Sequence, residues 1–500
     1  MKTIVQQIDD IALAHPDWLA LTVLGDHYTY GELKAASDGI AAALLASSLP
    51  AGPVLVYCDQ SFATIAAFLG VVKAGRAYIP VDTHSPQDRL LMIEAIAEPA
   101  VVLATQPVPV ALKTPVKTPG QVAEMMTVPL TTALPTPAAD DNFYIIFTSG
   151  TTGQPKGVQI SHGNLTSFVA WMASFNLPRQ PRMLAQAPFS FDLSVMSLYP
   201  TLTAGGCLQI LPREATENLK QLFETLPQLP VDVWVSTPSF IDICLLDQTF
   251  DASHYPALKQ LFFCGEELTH ATAAKLRQRF PKAQVFNTYG PTEATVAVTA
   301  IEITDQVLAD HDRLPIGYAK PDTTITLVPG SEREAENHQS GELELIGPSV
   351  SKGYLNRPEK TAAAFTSGAV RGYKTGDLGY ITEDGLIFYQ GRTDFQIKLN
   401  GYRIELEEVD HYLNQAPMIH QAVAVPKYNA EHKVAQLLAY VVPEAPAESG
   451  LALTKAIRVY LQGVMMPYMV PQRFIYRDEL PLTQNGKVAV KALIAEVNGQ

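Results

Sequence analysis

Cysteine is scarce in this 500-residue chain, and the four that occur, Cys58, Cys207, Cys244 and Cys264, are widely dispersed. That pattern excludes a disulfide framework and offers no CxxC pair for a structural metal, so the four read as reduced thiols. Positive charge is in deficit as well. Lys and Arg number 36 against 50 Asp and Glu, giving a formal net charge of -14. No long basic run occurs, which argues against nucleic-acid binding, because phosphate-backbone recognition depends on clustered cations. Long apolar runs are missing too: Ala63 to Val72 is the longest and stops at Lys73, about half of what a membrane span needs. The N-terminus MKTIVQQIDDIALAHPDW has acidic residues where a signal peptide needs an apolar core. Its Ile4, Val5, Ile8, Ile11 and Ala12 recur at helical spacing instead. Together these absences predict a cytoplasmic chain with no membrane span and no nucleic-acid partner.

What is present is enough apolar residue, 47%, to build more than one core. Short β-branched or aromatic runs, PVLVY (53–57), AVVLAT (100–105), YIIFT (144–148) and LKQLFF (258–263), alternate with helical patterns. Such alternation predicts an α/β fold with mainly parallel, buried strands. Residues 107–141 are rich in Pro and Thr and read as a long surface connection. Near Asp394 the charge balance changes from acidic excess to parity and a new strand-and-helix series begins. The boundary expected there divides a large part, 1–394, from a small one, 395–500.

The string YIIFTSGTTGQPKG (144–157) carries an apolar strand into a loop of Gly150, Gly153 and Gly157. Thr148, Ser149, Thr151 and Thr152 are interleaved, and Lys156 follows. Glycines let backbone N–H groups approach an anion, hydroxyls add donors, and the lysine adds charge, which together make a phosphate cradle. The spacing is not that of a Walker loop.

With that loop, NTYGPTEAT (287–295), YKTGDLGY (373–380), GRTDFQIKLNGYRIE (391–405) and QNGKV (484–488) resemble the adenylate-forming (ANL) superfamily, along the whole chain and in the right order. The superfamily includes adenylation domains of nonribosomal peptide synthetases and acyl-CoA synthetases. The resemblance implies a large N-terminal domain with a small, rotating C-terminal lid, and it implies ATP and Mg²⁺ as cofactors. Asn287, Thr288, Tyr289, Gly290 and Thr292 would lie along the nucleotide, with Tyr289 stacked on adenine. Asp377 would accept the ribose hydroxyls, Arg392 would sit near the ribose as a lid residue, and Asp394 would be the hinge. Glu293 would hold the magnesium, a hard oxygen ligand for a hard cation. Lys487, which alone reads as an exposed lysine in a tight Asn-Gly turn, would bridge the substrate carboxylate and the α-phosphate.

In amino-acid-activating members an aspartate after an aromatic residue grips the α-ammonium, and PFSFDLSVMS (188–197) places Asp192 there. Asp192 also reads as an N-cap for a following helix. Met196, Phe262, Cys264, Thr288 and Val296 match the side-chain pocket, whose bulk suits a small side chain, with Cys264 crowding one face of the substrate carbon. The compact length and SFVAW (167–171) resemble the branch that adenylates D-alanine and loads a separate phosphopantetheinyl carrier protein for D-alanylation of teichoic acids. No GGxS-like attachment site or HHxxxDG motif occurs in the chain, in keeping with a separate acceptor. Two rivals remain open at this level: an acyl-CoA ligase for a small carboxylic acid, which has no need of Asp192, and a sensor that binds AMP or an amino acid without turnover.

Overall fold

The computed structural model describes residues 2–150, 154–335, 338–429, 431, 433–444, 450–481 and 488–499. Contacts divide the chain into two compact units. The first comprises Met1–Thr83, Glu94–Phe147 and Gly157–Thr393, and the second His84–Ile93, Thr148–Lys156 and Asp394–Gln500. The second unit therefore contains not only the C-terminal segment but also two short pieces of the N-terminal part, one of them the glycine and hydroxyl loop.

Among the described residues the first unit holds three sheets. In the largest, six parallel strands run side by side in the order Gln284–Tyr289, Gln260–Phe263, Val233–Ser236, Arg182–Ala185, Cys207–Ile210 and Leu19–Val23. Antiparallel strands close both edges. A second sheet sets Val116–Lys117, Val101–Ala104, Val54–Cys58, Tyr78–Asp82 and Asn142–Thr148 in parallel order, with Lys156–Ser161 beyond them. Strands buried on both faces need continuous rather than alternating apolar sequence, and VLVYC, VVLA, VWVS and QLFF are buried at every position. The expected runs are thus the observed strands, shifted at their ends by one or two residues. The third sheet is antiparallel and pairs Gly372–Ile381 with His338–Ile346 and Ile387–Arg392.

Two expectations need correction. The Pro- and Thr-rich stretch 107–141 contains a short strand, Val116–Lys117, and a helix, Pro119–Met125. The reason is local: Thr118 and Gln121 form a capping box, with proline in the first turn, and Val122 and Met125 are buried. Arg392, expected on the lid, belongs to the first unit, where it ends the strand Ile387–Arg392.

The second unit opens with a hairpin, Gln396–Leu399 with Tyr402–Glu405. Its turn is Asn400-Gly401, both at positive φ (51° and 84°), the left-handed pair that a two-residue hairpin turn demands. The helix Leu406–Gln415 follows, then the strands Ile419–Tyr428, Val434–Pro443 and Arg473–Tyr476 form one sheet. Strand alternation gives the sheet two apolar faces. Ala424, Leu437 and Ala439 pack with Ile457 and Leu461 of the helix Gly450–Val464, while Val425, Leu438 and Tyr440 pack with Leu493 of Val490–Val497.

Candidate functional site

Open parallel sheets bind ligands outside the carboxyl ends of their strands, where loops supply side chains to a crevice. The sequence-predicted pocket residues occupy such positions in the first unit. Cys264 directly follows the strand Gln260–Phe263, Tyr289 ends the neighbouring strand Gln284–Tyr289, and Asp192 lies in the connection after Arg182–Ala185. Met196, Phe262, Cys264 and Val296 share one hydrophobic cluster. Phe262 stacks on Phe286 with ring centroids 4.7 Å apart, and Phe175 meets both rings edge-on. The Cys264 thiol points at the Val296 carbonyl oxygen, 3.6 Å away. Thr288 is buried and donates its hydroxyl to the Phe263 carbonyl at 2.8 Å.

Asp192 stands immediately before the helix Leu193–Thr203 and is 7% exposed. The N-cap reading fails, because Asp192 has helical backbone angles (φ -63°, ψ -20°) and its side chain makes no capping hydrogen bond.

The nucleoside-binding candidates converge on Asp377, which is buried. Its Oδ1 accepts from Arg392 Nη1 at 2.7 Å and its Oδ2 from the Tyr289 hydroxyl at 2.5 Å. The strands pair Asp377 directly with Arg392, and Arg392 Nη1 also donates to the Thr375 carbonyl at 3.1 Å. Burial, then the Asp377 charge, push the Tyr289 phenol far up, so it stays protonated and donates. Each carboxylate oxygen has two lone pairs, so Asp377 retains acceptor capacity for further hydroxyls.

Glu293 sits in the 3₁₀ turn Thr292–Ala294, wholly buried, with Oε1 accepting from the Tyr354 hydroxyl at 2.8 Å. Two β-branched residues beside it, Thr295 and Val296, have positive φ (58° and 71°), a conformation such side chains rarely adopt. The strain is held by the Thr295 hydroxyl on the Ser349 carbonyl (2.6 Å) and by Val298 N–H on the Tyr289 carbonyl (2.8 Å). Gly290 is required here for space, since a Cβ would lie 2.6 Å from Ala297 Cα. Asn287 is buried and spends its amide on the Pro315 carbonyl at 2.8 Å. Thr292 is half-buried.

In the second unit, the described ends of the glycine and hydroxyl loop face acceptors. Ser149 Oγ donates to the Arg403 carbonyl at 2.9 Å, Gly150 N–H to Glu408 Oε2 at 3.0 Å, and Lys156 Nζ lies 3.6 Å from Glu405 Oε1. Arg89 is 3.9 Å from Glu408, and Gln396 donates to Glu405 at 2.6 Å. Burial pushes the Glu408 carboxyl up, while Arg89 and the Gly150 N–H pull against it. The Thr148 hydroxyl is buried with no hydrogen-bond partner among the described residues. Asp394 opens this unit and accepts from Gln396 N–H at 3.1 Å. Thr151, Thr152, Gly153 and Lys487 lie outside the described residues.

Sequence reasoning did not anticipate Tyr354, Arg89, Glu405 or Glu408. Tyr354 carries no local signal as a partner of Glu293, and the two glutamates stand in IELEEVD, which reads only as an acidic first helical turn. Among the described residues no group of three or more His, Cys, Asp or Glu is placed to hold a metal, and no helix is long and apolar enough to cross a membrane.

Residues 8–355 match the AMP-binding enzyme family, and residues 408–487 match the AMP-binding enzyme C-terminal domain. The chain is 58% identical to the D-alanine–D-alanyl carrier protein ligase of Lactiplantibacillus plantarum, covering 100% of this chain and 99% of that one. It is 49% identical to the ligase of the same name from Streptococcus pyogenes serotype M28, with 100% of each covered. Among solved structures it resembles holo-PA1221, a nonribosomal peptide synthetase protein with adenylation and PCP domains bound to a vinylsulfonamide inhibitor. That match has a TM-score of 0.82 and 27% identity, and covers 99% of this chain and 84% of that one.

Proposed function

From the premise that the chain belongs to the AMP-binding enzyme family, and within it groups with D-alanine–D-alanyl carrier protein ligases, we propose that it activates D-alanine with ATP as D-alanyl-AMP, releasing pyrophosphate, and passes the D-alanyl group to the phosphopantetheine thiol of a separate carrier protein for D-alanylation of teichoic acids. The observation that carries the substrate class is Asp192. It is a carboxylate 7% exposed, one turn before Met196 of the pocket cluster, and a carboxylate beside a small apolar pocket suits a substrate that carries an ammonium. An acyl-CoA ligase for an acid without an amine gains nothing from it.

The remaining roles follow from charge. Joining a carboxylate to a triphosphate brings two anions together, so the site must gather donors where negative charge develops. Ser149, Gly150 and Lys156, with Thr148, Thr151, Thr152 and Gly153, supply hydroxyl, backbone and ammonium donors for the phosphates. Their described members already bond to a carbonyl and two carboxylates, which supports an anion-seeking loop. Asp377 holds the ribose hydroxyls with Arg392 and Tyr289 fixing its orientation, and Asn287, Thr288, Gly290 and Thr292 shape the nucleotide wall. Lys487 bridges the substrate carboxylate and the α-phosphate. The segment 395–500 acts as a lid turning at Asp394 between adenylation and thiol attack.

A single buried carboxylate, Glu293, is too small a donor set for a resident ion but fits Mg²⁺, which dehydrates reluctantly and is commonly held by one carboxylate together with nucleotide phosphates and water. When bound, the ion supplies charge neutralisation at the phosphates. Cys264, with Met196, Phe262 and Val296, limits the pocket to a small side chain and favours the D-configuration by crowding one face of the substrate carbon.

A cytoplasmic location fits an ATP-dependent reaction and four buried thiols, and the net charge of -14 argues against a nucleic-acid partner. ATP–pyrophosphate exchange across D- and L-amino acids tests the reading. D-alanine should give the highest kcat/KM, and preference for an acid without an amine would overturn it.

A further inference from the structure

The first unit holds a set of buried tyrosines that the proposed chemistry does not use. Tyr78, Tyr144 and Tyr199 are at most 2% exposed. Tyr78 and Tyr144 are register partners on adjacent parallel strands, with ring centroids 5.8 Å apart. Tyr199 is on the helix Leu193–Thr203, and the spacing Asp192, Met196, Tyr199 places all three on one helical stripe. The Tyr78 and Tyr199 hydroxyls bond to each other at 2.7 Å. The Tyr144 hydroxyl is different: it is buried and has no hydrogen-bond partner among the described residues.

A buried hydroxyl left without a partner is costly, and native interiors rarely tolerate one without a reason. The surroundings of this hydroxyl are anionic and phenolic. Its acidity is suppressed first by burial, then by Tyr78, then by the Asp192 carboxylate, and Tyr144 acts in turn on Tyr199. The Tyr78 and Tyr199 hydroxyls satisfy each other. The Tyr144 hydroxyl is outside that pair, so its donor is left for another acceptor.

We propose that Tyr144 is a positioning residue for amino-acid recognition, its hydroxyl donating to the Asp192 carboxylate when the substrate ammonium is bound, so that the aspartate is held at the angle that grips the ammonium. This rests on the reading of Asp192 given above. An ammonium brings three donors and a carboxylate about four acceptor sites, so the ion pair has acceptor capacity facing away from substrate. A buried ion pair is stable only when such remaining positions are hydrogen-bonded. Hydroxyl to carboxylate is among the stronger bonds available for this.

The test is Tyr144→Phe in the full-length chain, measured by D-alanine-dependent ATP–pyrophosphate exchange together with thermal unfolding. The expected result is a KM for D-alanine raised about ten-fold, with kcat and the KM for ATP changed less than two-fold. The Ki of propionate, which lacks the amine, should stay the same. Tyr144→Trp, which also removes the hydroxyl but keeps an aromatic ring, should raise the D-alanine KM as well, and it keeps the question answerable if the first variant folds poorly. An unchanged D-alanine KM in Tyr144→Phe, with a raised Tm from losing an unsatisfied hydroxyl, would overturn the proposal. Asp192→Asn separates the two readings. If Asp192→Asn loses D-alanine use while Tyr144→Phe is silent, only the role of Tyr144 falls; if Asp192→Asn is itself silent, the assignment of Asp192 falls with it.

Discussion

Arg392 and Asp377 face each other in the register of two antiparallel strands, with Nη1 and Oδ1 2.7 Å apart and both side chains under 10% exposed. The pair joins the end of one strand to the middle of the next, so it fixes the carboxylate that the ribose hydroxyls would meet. Removing either partner leaves the other charge buried. Asp377→Ala and Arg392→Ala should each cost roughly 3–5 kcal/mol in urea unfolding. The double variant should lose less than the sum, with a coupling of about 1–3 kcal/mol. Additive losses would mean that the two charges do not stabilise each other.

Gly290→Ala tests how tightly the 290–297 loop is closed. The new methyl would lie 2.6 Å from Ala297 Cα and 2.8 Å from the Val296 oxygen, both backbone atoms that cannot rotate away. Overpacking of that kind costs roughly 1–3 kcal/mol. Because Val296 shares a cluster with Cys264 and Gly290 itself is proposed to line the nucleotide, the KM values for D-alanine and ATP should both rise. Unchanged values for both would place the loop outside the two binding sites.

Much of the first unit could be read from sequence because buried parallel strands leave unbroken apolar runs, and VLVYC or QLFF have that form whatever they pair with. Cys264 and Tyr289 are placed by the ends of the strands Gln260–Phe263 and Gln284–Tyr289, whereas Met196 is placed by the helix Leu193–Thr203. The glycine and hydroxyl loop reads as a phosphate cradle in the sequence because its donors are contiguous. Its grouping with the C-terminal segment was not, because Gly150 meets Glu408 across 258 residues and no local pattern encodes that. Arg392 was misassigned for the same reason: its membership of the first unit is set by strand pairing with Asp377, whereas its motif continues smoothly into the second. The helix Pro119–Met125 was a different failure, a capping box present in the sequence but masked by the surrounding prolines.

Asp410 should make the second unit pH-sensitive. Its carboxyl is pushed up to about 7, chiefly by burial, with Glu407 adding to the shift and the Ala424 N–H, 2.6 Å away, opposing it. A folded-state pKa above the unfolded one means that the folded form binds the proton more tightly. The contribution to stability is therefore full below about pH 4 and is lost as pH rises towards 7. Asp410→Asn keeps the acceptor for Ala424 and removes the charge, so at pH 8 it should stabilise the helix Leu406–Gln415 by about 2–4 kcal/mol. The gain should fade by pH 4. Amide hydrogen exchange of that helix at the two pH values is the measurement, and a gain independent of pH would refute the assignment.

Glu408 accepts from the Gly150 N–H, a group that the proposed reaction needs for phosphate. The carboxylate and the nucleotide are then competitors for one donor, and the charge on Glu408 sets the strength of the competition. A hydrogen bond to a charged acceptor is stronger than one to a neutral amide by about 1 kcal/mol, which corresponds to roughly five-fold in an equilibrium. Glu408→Gln should accordingly lower the KM for ATP about three- to ten-fold at neutral pH while leaving the KM for D-alanine unchanged. The wild-type enzyme should show part of the same gain as pH falls, because its burial-raised carboxyl protonates earlier than an ordinary glutamate and then competes as a neutral group. Pyrophosphate exchange at varied ATP and pH reads both effects. A KM for ATP that rises in Glu408→Gln would mean that the glutamate orders the loop for nucleotide instead of competing with it.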